Sequence, residues 1–438
     1  MAKIIRWASN MLRRPPSPLV HFPTSGFETV RPTEMLDEER FQQFKQGKYY
    51  PANIGDVLGS RYQIVGKLGF GTTSTVWLAR DLEGYQYVTL KIYTRDEENQ
   101  EEFQIYKQLE QGSPWHPGHG HVRKALDLFN ISSSGGDHPC LVQNPTWESF
   151  KDLLYRNPSH RFTEDLLKSG LMQIFLALDY LHTECNIVHT DIKSDNILQD
   201  IEDKSILDSF TQAELKTPSP RKIVNGLPVY ASRRFDLPKV FGRAVLSDFG
   251  SAVRGDERRN HDAQPDVYRS PEVMPKTDWS YPVDIWNVGV MVYSTLPRSV
   301  SYAEHRNNRC GICLKGDTFS MEMTLMAKGI RPGRILRKSW GSWGHPLWIC
   351  STVENEAMNS SLTMITKAYE GKIKGEWKQD IPIPTGASLE LSEEMLEGKN
   401  KEMFISFMRG MLQWRPEDRK TAKDLLQDQW LNGNSEEL

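Results

Sequence analysis

Between Arg61 and Gln143 the chain alternates apolar and polar positions over short stretches. The segments "RYQIVGKLG", "STVWLAR" and "QYVTLKIY" mix aromatic and β-branched residues with polar ones, and glycine- or aspartate-rich turns separate them. This pattern is typical of β-strands. A further strand is predicted at "HPCLVQ", residues 138–143. We therefore expect a β-rich N-terminal part.

Helical periodicity interrupts these strands and then replaces them. In "NQEEFQIYKQLE", Phe103, Tyr106 and Leu109 are three residues apart and share one face of a predicted helix. A longer helix is predicted at "FTEDLLKSGLMQIFLALDYLH", with Thr163 as its N-cap and acids in its first turn. Its apolar stripe consists of Leu167, Leu171, Ile174, Leu178 and Leu181. A β-rich part followed by a helix-rich part predicts an α+β protein with two lobes and a ligand cleft between them.

Pattern and composition also predict where the parts of the chain begin and end. Prolines interrupt the first residues, and "KTPSPRK" lies in a long mixed connection after the second helix. The predicted parts are a flexible basic, proline-rich tail (1–33), an N-terminal extension (34–60), a small lobe (61–146), and a larger lobe (147–432) with a partly ordered insertion (200–243) and an atypical segment (293–377).

Bulk composition excludes several classes of protein. The 438 residues are 38% hydrophobic and 25% charged, as in ordinary globular proteins, and no apolar run approaches a membrane span of ~18 residues. A net charge of −3 gives no electrostatic reason to expect direct nucleic-acid binding. The five scattered cysteines fit a reduced intracellular compartment rather than a disulfide framework. We expect a protein of the cytoplasm and nucleus. The basic start "MAKIIRWASNMLRR" leaves mitochondrial targeting as an alternative.

A glycine-rich turn between the first two strands could bind phosphate. In "LGFGTTSTVWLA", Gly69 and Gly71 let backbone N–H groups approach an anion, and Thr72, Thr73 and Ser74 keep the turn uncrowded. Ser74 stands where a third glycine would complete G-x-G-x-x-G. The alternative is an ordinary hairpin turn.

Lys91 is the one charged residue in the strand "VTLKIY". It could hold nucleotide phosphates if a helix carboxylate fixed it, and Glu102 is the predicted partner, with Glu101 as the second choice. An edge lysine that extends into water is the alternative.

The segment "IVHTDIKSDNIL" concentrates charge in an apolar setting. Asp191, Lys193 and Asn196 supply a carboxylate, a cation and an amide within one loop, and "VLSDFGSA" adds Asp248 after an apolar strand. Phosphoryl transfer requires a group that orients the attacking hydroxyl, a cation for the phosphoryl oxygens, and metal ligands. Asn196 and Asp248 offer the oxygen ligands that Mg²⁺ prefers.

These motifs occur in one order: the glycine-rich hairpin, the strand lysine, the helix glutamate, H-x-D-x-K-x-x-N, D-F-G and "SPE". In that order the chain resembles a eukaryotic protein kinase. The segments "HTDIK", "YYPANIGDVLGSRYQIVGKLGFG" and "RGMLQWRPEDR" resemble the SR protein kinases, especially their fungal branch. The resemblance covers roughly residues 33–293 and 377–432, and implies the bilobal kinase fold with a small β-rich N-lobe and a larger helical C-lobe.

The resemblance also implies roles for individual residues. Asp191 would position the substrate hydroxyl, Lys193 would steady the γ-phosphate, and Asn196 and Asp248 would hold Mg²⁺. Residues that would contact ATP are Leu68, Gly69, Phe70, Gly71, Thr72, Thr73, Ser74, Val76, Lys91, the gate residue Gln143, and Asn144 and Thr146 of the adenine hinge. Asp284 would tie down the catalytic loop, and Arg419 would pair with Glu272. The implied activity is serine phosphorylation of arginine–serine-rich splicing factors by a monomeric serine/threonine kinase.

The chain departs from the kinase pattern in two places. Thr190 replaces the arginine of H-R-D, and residues 252–267 contain no Ser, Thr or Tyr, which predicts activity without phosphorylation of that loop. Residues 293–377 lose the family pattern, so a pseudokinase or scaffold with an impaired docking region, or a wrongly assembled segment, remains an alternative. Cys310 and Cys313 form a single C-x-x-C, for which reduced thiols are favoured over zinc.

Overall fold

The computed structural model describes residues 14–95, 100–133, 135–274, 276–295, 389–393 and 395–433. They divide into two compact units. Unit 1 combines the chain up to Leu153 with Asp195–Gly250, and unit 2 combines Leu154–Ser194 with the chain from Ser251 onward. Most of the atypical segment, including Cys310 and Cys313, lies outside the described residues.

The strands of the described chain are β1 Val57–Leu58, β2 Tyr62–Phe70, β3 Ser74–Asp81, β4 Gln86–Tyr93, β5 Ala125–Ser133, β6 Gly136–Gln143, β7 Thr146–Ser149, β8 Ile187–Val188, β9 Ile197–Ile201, β10 Arg221–Val224, β11 Leu227–Tyr230, β12 Phe241–Leu246 and β13 Val253–Arg254. The α-helices are α1 Gln42–Lys45, α2 Gln100–Leu109, α3 Phe150–Arg156, α4 Glu164–Asp179, α5 Ser205–Lys216, α6 Pro282–Thr295, α7 Leu389–Ser392, α8 Gly398–Met411, α9 Ala422–Leu426 and α10 Gln429–Asn432. None of the helices in these ranges has the length and apolar character that a bilayer crossing requires.

Unit 1 is built on a six-stranded antiparallel sheet in the order β1-β2-β3-β4-β6-β5. The strands predicted from alternation are confirmed as β2, β3, β4 and β6. Alternation is visible in the packing, because Ile64, Trp77 and Leu90 are buried in one cluster whereas Val65 and Leu78 belong to another. Burial on both sides explains why β2 and β3 carry so few exposed residues.

The second cluster is completed by the segment predicted as an insertion. Residues 205–230 form α5 and the β10–β11 hairpin, and Ile206, Leu207 and Phe210 of α5 pack against Val65. Gly66 permits this approach, since a Cβ at that position would lie 2.7 Å from the Phe210 ring. The insertion therefore forms part of the core of unit 1.

A three-stranded sheet, β12-β9-β7, also belongs to unit 1. Leu246 pairs with Ile197 where β12 ends and β9 begins. The residues just beyond these ends are Ser247 and Asn196, and the Ser247 N–H donates to the Asn196 carbonyl at 2.9 Å. This pairing sets Asn196 beside the turn that carries Asp248.

Unit 2 is mainly helical, as predicted. Thr163 caps α4 by accepting from the Leu166 N–H, and Leu171, Leu178 and Leu181 of the predicted stripe are buried. The predicted pair of Arg419 and Glu272 is confirmed: two guanidinium nitrogens lie 2.6 and 2.7 Å from the carboxylate oxygens. Both side chains are almost fully buried, so this bidentate pair joins segments that are far apart in sequence.

Candidate active site

The glycine-rich turn connects β2 and β3 in unit 1. The Gly71 N–H donates to the Ser74 carbonyl at 2.8 Å, which closes the turn. The Tyr49 hydroxyl lies 2.6 Å from the Gly71 carbonyl and 2.8 Å from the Thr72 carbonyl, so it holds the turn from the N-terminal extension. Sequence reasoning missed Tyr49, because nothing local relates it to a turn 22 residues away.

Lys91 lies on β4 between two carboxylates. Its Nζ is 3.2 Å from Glu102 Oε1 on α2 and 3.2 Å from Asp248 Oδ1. Glu102 is 5% exposed, whereas Glu101, the second predicted partner, is on the exposed side of the helix. The structure thus brings together three predicted site residues separated by up to 157 positions.

Electrostatics favour a charged Lys91. Burial opposes the charge, but interactions with Tyr93, Asp248 and Glu102 raise the pKa of Lys91 well above its ordinary value. Burial also raises the pKa of Tyr93, so that phenol is neutral at pH 7 and the two carboxylates are the effective partners. Lys91 is therefore a fixed cation.

Asn196 and Asp248 offer oxygen donors in the same unit. Asp248 adopts a left-handed backbone conformation, with φ of +66°. Its side chain is 48% exposed although it pairs with Lys91, so the carboxylate is accessible from solvent. No group of three or more His, Cys, Asp or Glu side chains within the described ranges could hold a metal alone. The two donors fit a divalent ion that shares phosphate oxygens with a nucleotide.

A cavity of about 490 Å³ lies within unit 1 beside these groups. Its volume is in the range of small-molecule sites. Predicted residues that line it are Leu68, Gly69, Phe70, Gly71, Ser74, Val76, Lys91, Gln143, Thr146, Asn196 and Asp248. Four further predicted residues do not line the cavity, although each neighbours a lining residue in sequence or contacts one: Thr72, Thr73, Asn144 and Glu102. Lining residues that sequence reasoning missed include Thr89, Arg123 and Ser247.

Asp191 and Lys193 lie in unit 2. Lys193 Nζ is 2.7 and 2.9 Å from the two carboxylate oxygens of Asp191, so the predicted carboxylate and cation form a pair. Asp284 accepts from the backbone N–H groups of His189 and Thr190, each at 2.8 Å. The prediction that Asp284 ties down this loop is confirmed.

Comparison with known proteins identifies the family. The model of the protein kinase domain matches residues 62–234 and 239–431. The chain belongs to the protein kinase family. A serine/threonine protein kinase of Aspergillus fumigatus is 38% identical over 430 residues, which cover 97% of this chain and 98% of the relative. The protein is accordingly a serine/threonine protein kinase. Membership of the protein kinase family implies that it uses ATP and a divalent metal ion.

More distant similarities agree with this placement. A serine/threonine-protein kinase of Physarum polycephalum, named SRPK, is 27% identical over 426 residues, or 90% of this kinase and 91% of the relative. A solved kinase domain superposes with a TM-score of 0.53 at 18% identity, and covers 88% of this chain and 100% of its own. The structural match confirms the kinase fold, with its β-rich part followed by a helical part.

Proposed function

We propose that this kinase transfers the γ-phosphate of Mg-ATP to serine in arginine–serine-rich proteins of the splicing-factor type. The observation that carries the catalytic part is the Lys91–Glu102–Asp248 cluster beside a cavity lined by the glycine-rich turn. The substrate class is supported by the similarity to the Physarum SRPK over 90% of the chain and by the segments that resemble SR protein kinases.

Each residue at the cavity would contribute one part of the reaction. Lys91, held charged by two carboxylates, would bind the α- and β-phosphates, and the glycine-rich turn would cover them. Asn196 and Asp248 would hold Mg²⁺, which supplies neutralisation of phosphate charge when bound. Gln143, Asn144 and Thr146 would meet the base.

The loop residues Asp191 and Lys193 would act on the serine hydroxyl and on the γ-phosphate that it receives. Asp191 would orient the serine hydroxyl and accept its proton as the new O–P bond forms and the bond to the β-phosphate oxygen breaks. Lys193, which already lies 2.7 Å from Asp191, would steady the γ-phosphate. Asp191 lies five positions before Asn196 in the chain.

We also propose that the kinase acts as a monomer in the cytoplasm and nucleus. Within the described residues, Cys140 and Cys185 are buried and form no disulfide, which fits a reducing compartment. Microscopy of a tagged full-length chain, with the tag at its C-terminus, tests the location. Accumulation in mitochondria would contradict this part of the proposal.

The activity is tested by phosphate transfer from Mg-ATP to an arginine–serine repeat peptide. We expect transfer by the wild type, loss of at least about 100-fold with Asp191→Asn, and no loss with Asp137→Asn, which alters an exposed hairpin carboxylate. A lysine–serine peptide should be a poorer substrate, because lysine lacks the planar guanidinium fork. A folded protein that binds ATP but transfers nothing would favour the pseudokinase alternative.

A further inference from the structure

Arg123 lines the nucleotide cavity. Its Nη2 donates to the Asn144 carbonyl at 3.0 Å, and its Nη1 lies 3.5 Å from the Ser247 hydroxyl. Asn144 belongs to the segment that we assign to the base of the nucleotide. The guanidinium therefore lies where the purine edge would be recognised.

Two buried polar atoms at this cavity lack partners. Arg123 Nε is buried and has no hydrogen-bond partner among the described residues, and the same is true of the Thr89 hydroxyl. Thr89 is 2% exposed, lines the cavity, and pairs in register with Gln143 on the neighbouring strand. Buried donors without acceptors are unfavourable, so the polar groups of Arg123 and Thr89 are incompletely paired at this cavity.

The charge of Arg123 strengthens this requirement. Burial lowers the pKa of Arg123, but a guanidinium stays protonated at neutral pH. The cation is thus partly desolvated and its hydrogen-bond needs are incompletely met. A neutral or partially negative oxygen on the ligand would meet them better than an amino group.

Purines differ at this edge. Adenine presents a 6-amino donor, whereas guanine and hypoxanthine present a 6-oxo acceptor next to the N7 acceptor. Arginine pairs with O6 and N7 through two parallel N–H···O and N–H···N bonds. The Asn144 carbonyl accepts from Arg123 through one of its two lone pairs, so a 6-amino group would share this acceptor with the guanidinium and lie beside another donor.

We propose that Arg123 allows this kinase to bind 6-oxopurine nucleoside triphosphates, such as GTP, at least as well as ATP. The inference rests on the proposed function only in that the cavity is taken as the nucleotide site. Arg123 is then a specificity-determining residue, which selects the base and leaves the phosphate-binding groups unchanged.

The test compares dissociation constants for the Mg complexes of ATP, ITP and GTP with the full-length protein. ITP differs from ATP only at the 6-position and its N1 proton, so the ATP–ITP pair isolates the edge that faces Arg123. We expect wild-type ITP to bind as well as ATP, and Arg123→Met to weaken ITP relative to ATP by about tenfold or more. The matched control is Arg243→Met, which removes an exposed arginine that pairs with Asp200 and does not line the cavity.

The possible outcomes separate this inference from the proposed function. A wild type that binds ATP and phosphorylates the peptide, but binds ITP more than tenfold more weakly, contradicts the role of Arg123 alone. An unchanged ATP–ITP ratio in Arg123→Met contradicts it also. Failure of every nucleotide to bind would instead overturn the nucleotide site itself. If Arg123→Met does not fold, the wild-type ratio alone decides.

Discussion

Lys67 is the most enclosed charge on the sheet of unit 1. Its side chain is fully buried on β2, where Nζ contacts the Glu38 carboxylate, lies 3.1 Å from Asp37 and donates to the Tyr230 carbonyl at 3.0 Å. Burial raises the pKa of Glu38 more than the attraction of Lys67 lowers it. The charges of Lys67, Asp37 and Glu38 therefore stabilise one another. The pattern of β2 alone predicts only another strand lysine.

Removal of Lys67 should destabilise the protein strongly. We expect Lys67→Met to lower the free energy of unfolding by about 3–5 kcal/mol, because the buried Glu38 and the half-buried Asp37 would be left without this cation. Denaturant titration of full-length protein measures this, with the exposed Lys45→Met as control. A loss as small as that of the control would show that the cluster is effectively solvated.

The loop that follows D-F-G is held by neutral hydrogen bonds. The Thr190 hydroxyl donates to the Ser251 carbonyl at 2.7 Å, the Gly255 N–H donates to Asn186 at 2.8 Å, and the Gln264 amide donates to the Val283 carbonyl at 2.9 Å. None of these contacts needs a phosphate. They provide a physical basis for an element that is ordered without modification.

Phosphatase treatment should therefore leave activity unchanged. The nearest residues that could carry phosphate are Ser251 and Tyr268. We expect peptide phosphorylation to change less than about twofold after treatment, and also in Ser251→Ala, since the loop is held without a phosphate–arginine pair. Mass spectrometry confirms the phosphorylation state before and after. Lost activity together with a lost phosphate would contradict the expectation.

At the scale of the whole molecule, segments far apart in sequence complete unit 1. The Val30 N–H donates to the Arg221 carbonyl, and Ser232 donates to Asp37 through both its N–H and its hydroxyl. The N-terminal extension and the insertion therefore bind each other as well as the sheet. Loss of either segment would expose polar and apolar groups of the other.

Binding of nucleotide should stabilise the native protein in a metal-dependent way. At a free concentration 100 times its Kd, Mg-ATP should add about 2.7 kcal/mol to the free energy of unfolding, because it binds only the folded chain. EDTA should remove most of this gain, as should Asp248→Asn, which withdraws a predicted metal ligand. Asp208→Asn, an exposed change on α5, serves as the control in a thermal unfolding assay. Equal stabilisation with and without Mg²⁺ would contradict the assignment of Asp248.

Local patterns in the sequence determined the elements and the order of the kinase motifs. Alternation over a few residues encodes β2, β3, β4 and β6, and a three- and four-residue spacing encodes α4, because these periods depend only on near neighbours. For the same reason, the kinase family was recognisable before any contact was known.

Tertiary structure decided the partners of the charged and polar side chains. It paired Lys91 with Glu102 rather than Glu101, set Tyr49 on the glycine-rich turn and placed Arg123 in the lining of the cavity. It also joined Lys67 to Tyr230 across 163 positions. Such contacts depend on how distant segments pack, and neither the spacing nor the propensity of neighbouring residues contains that information.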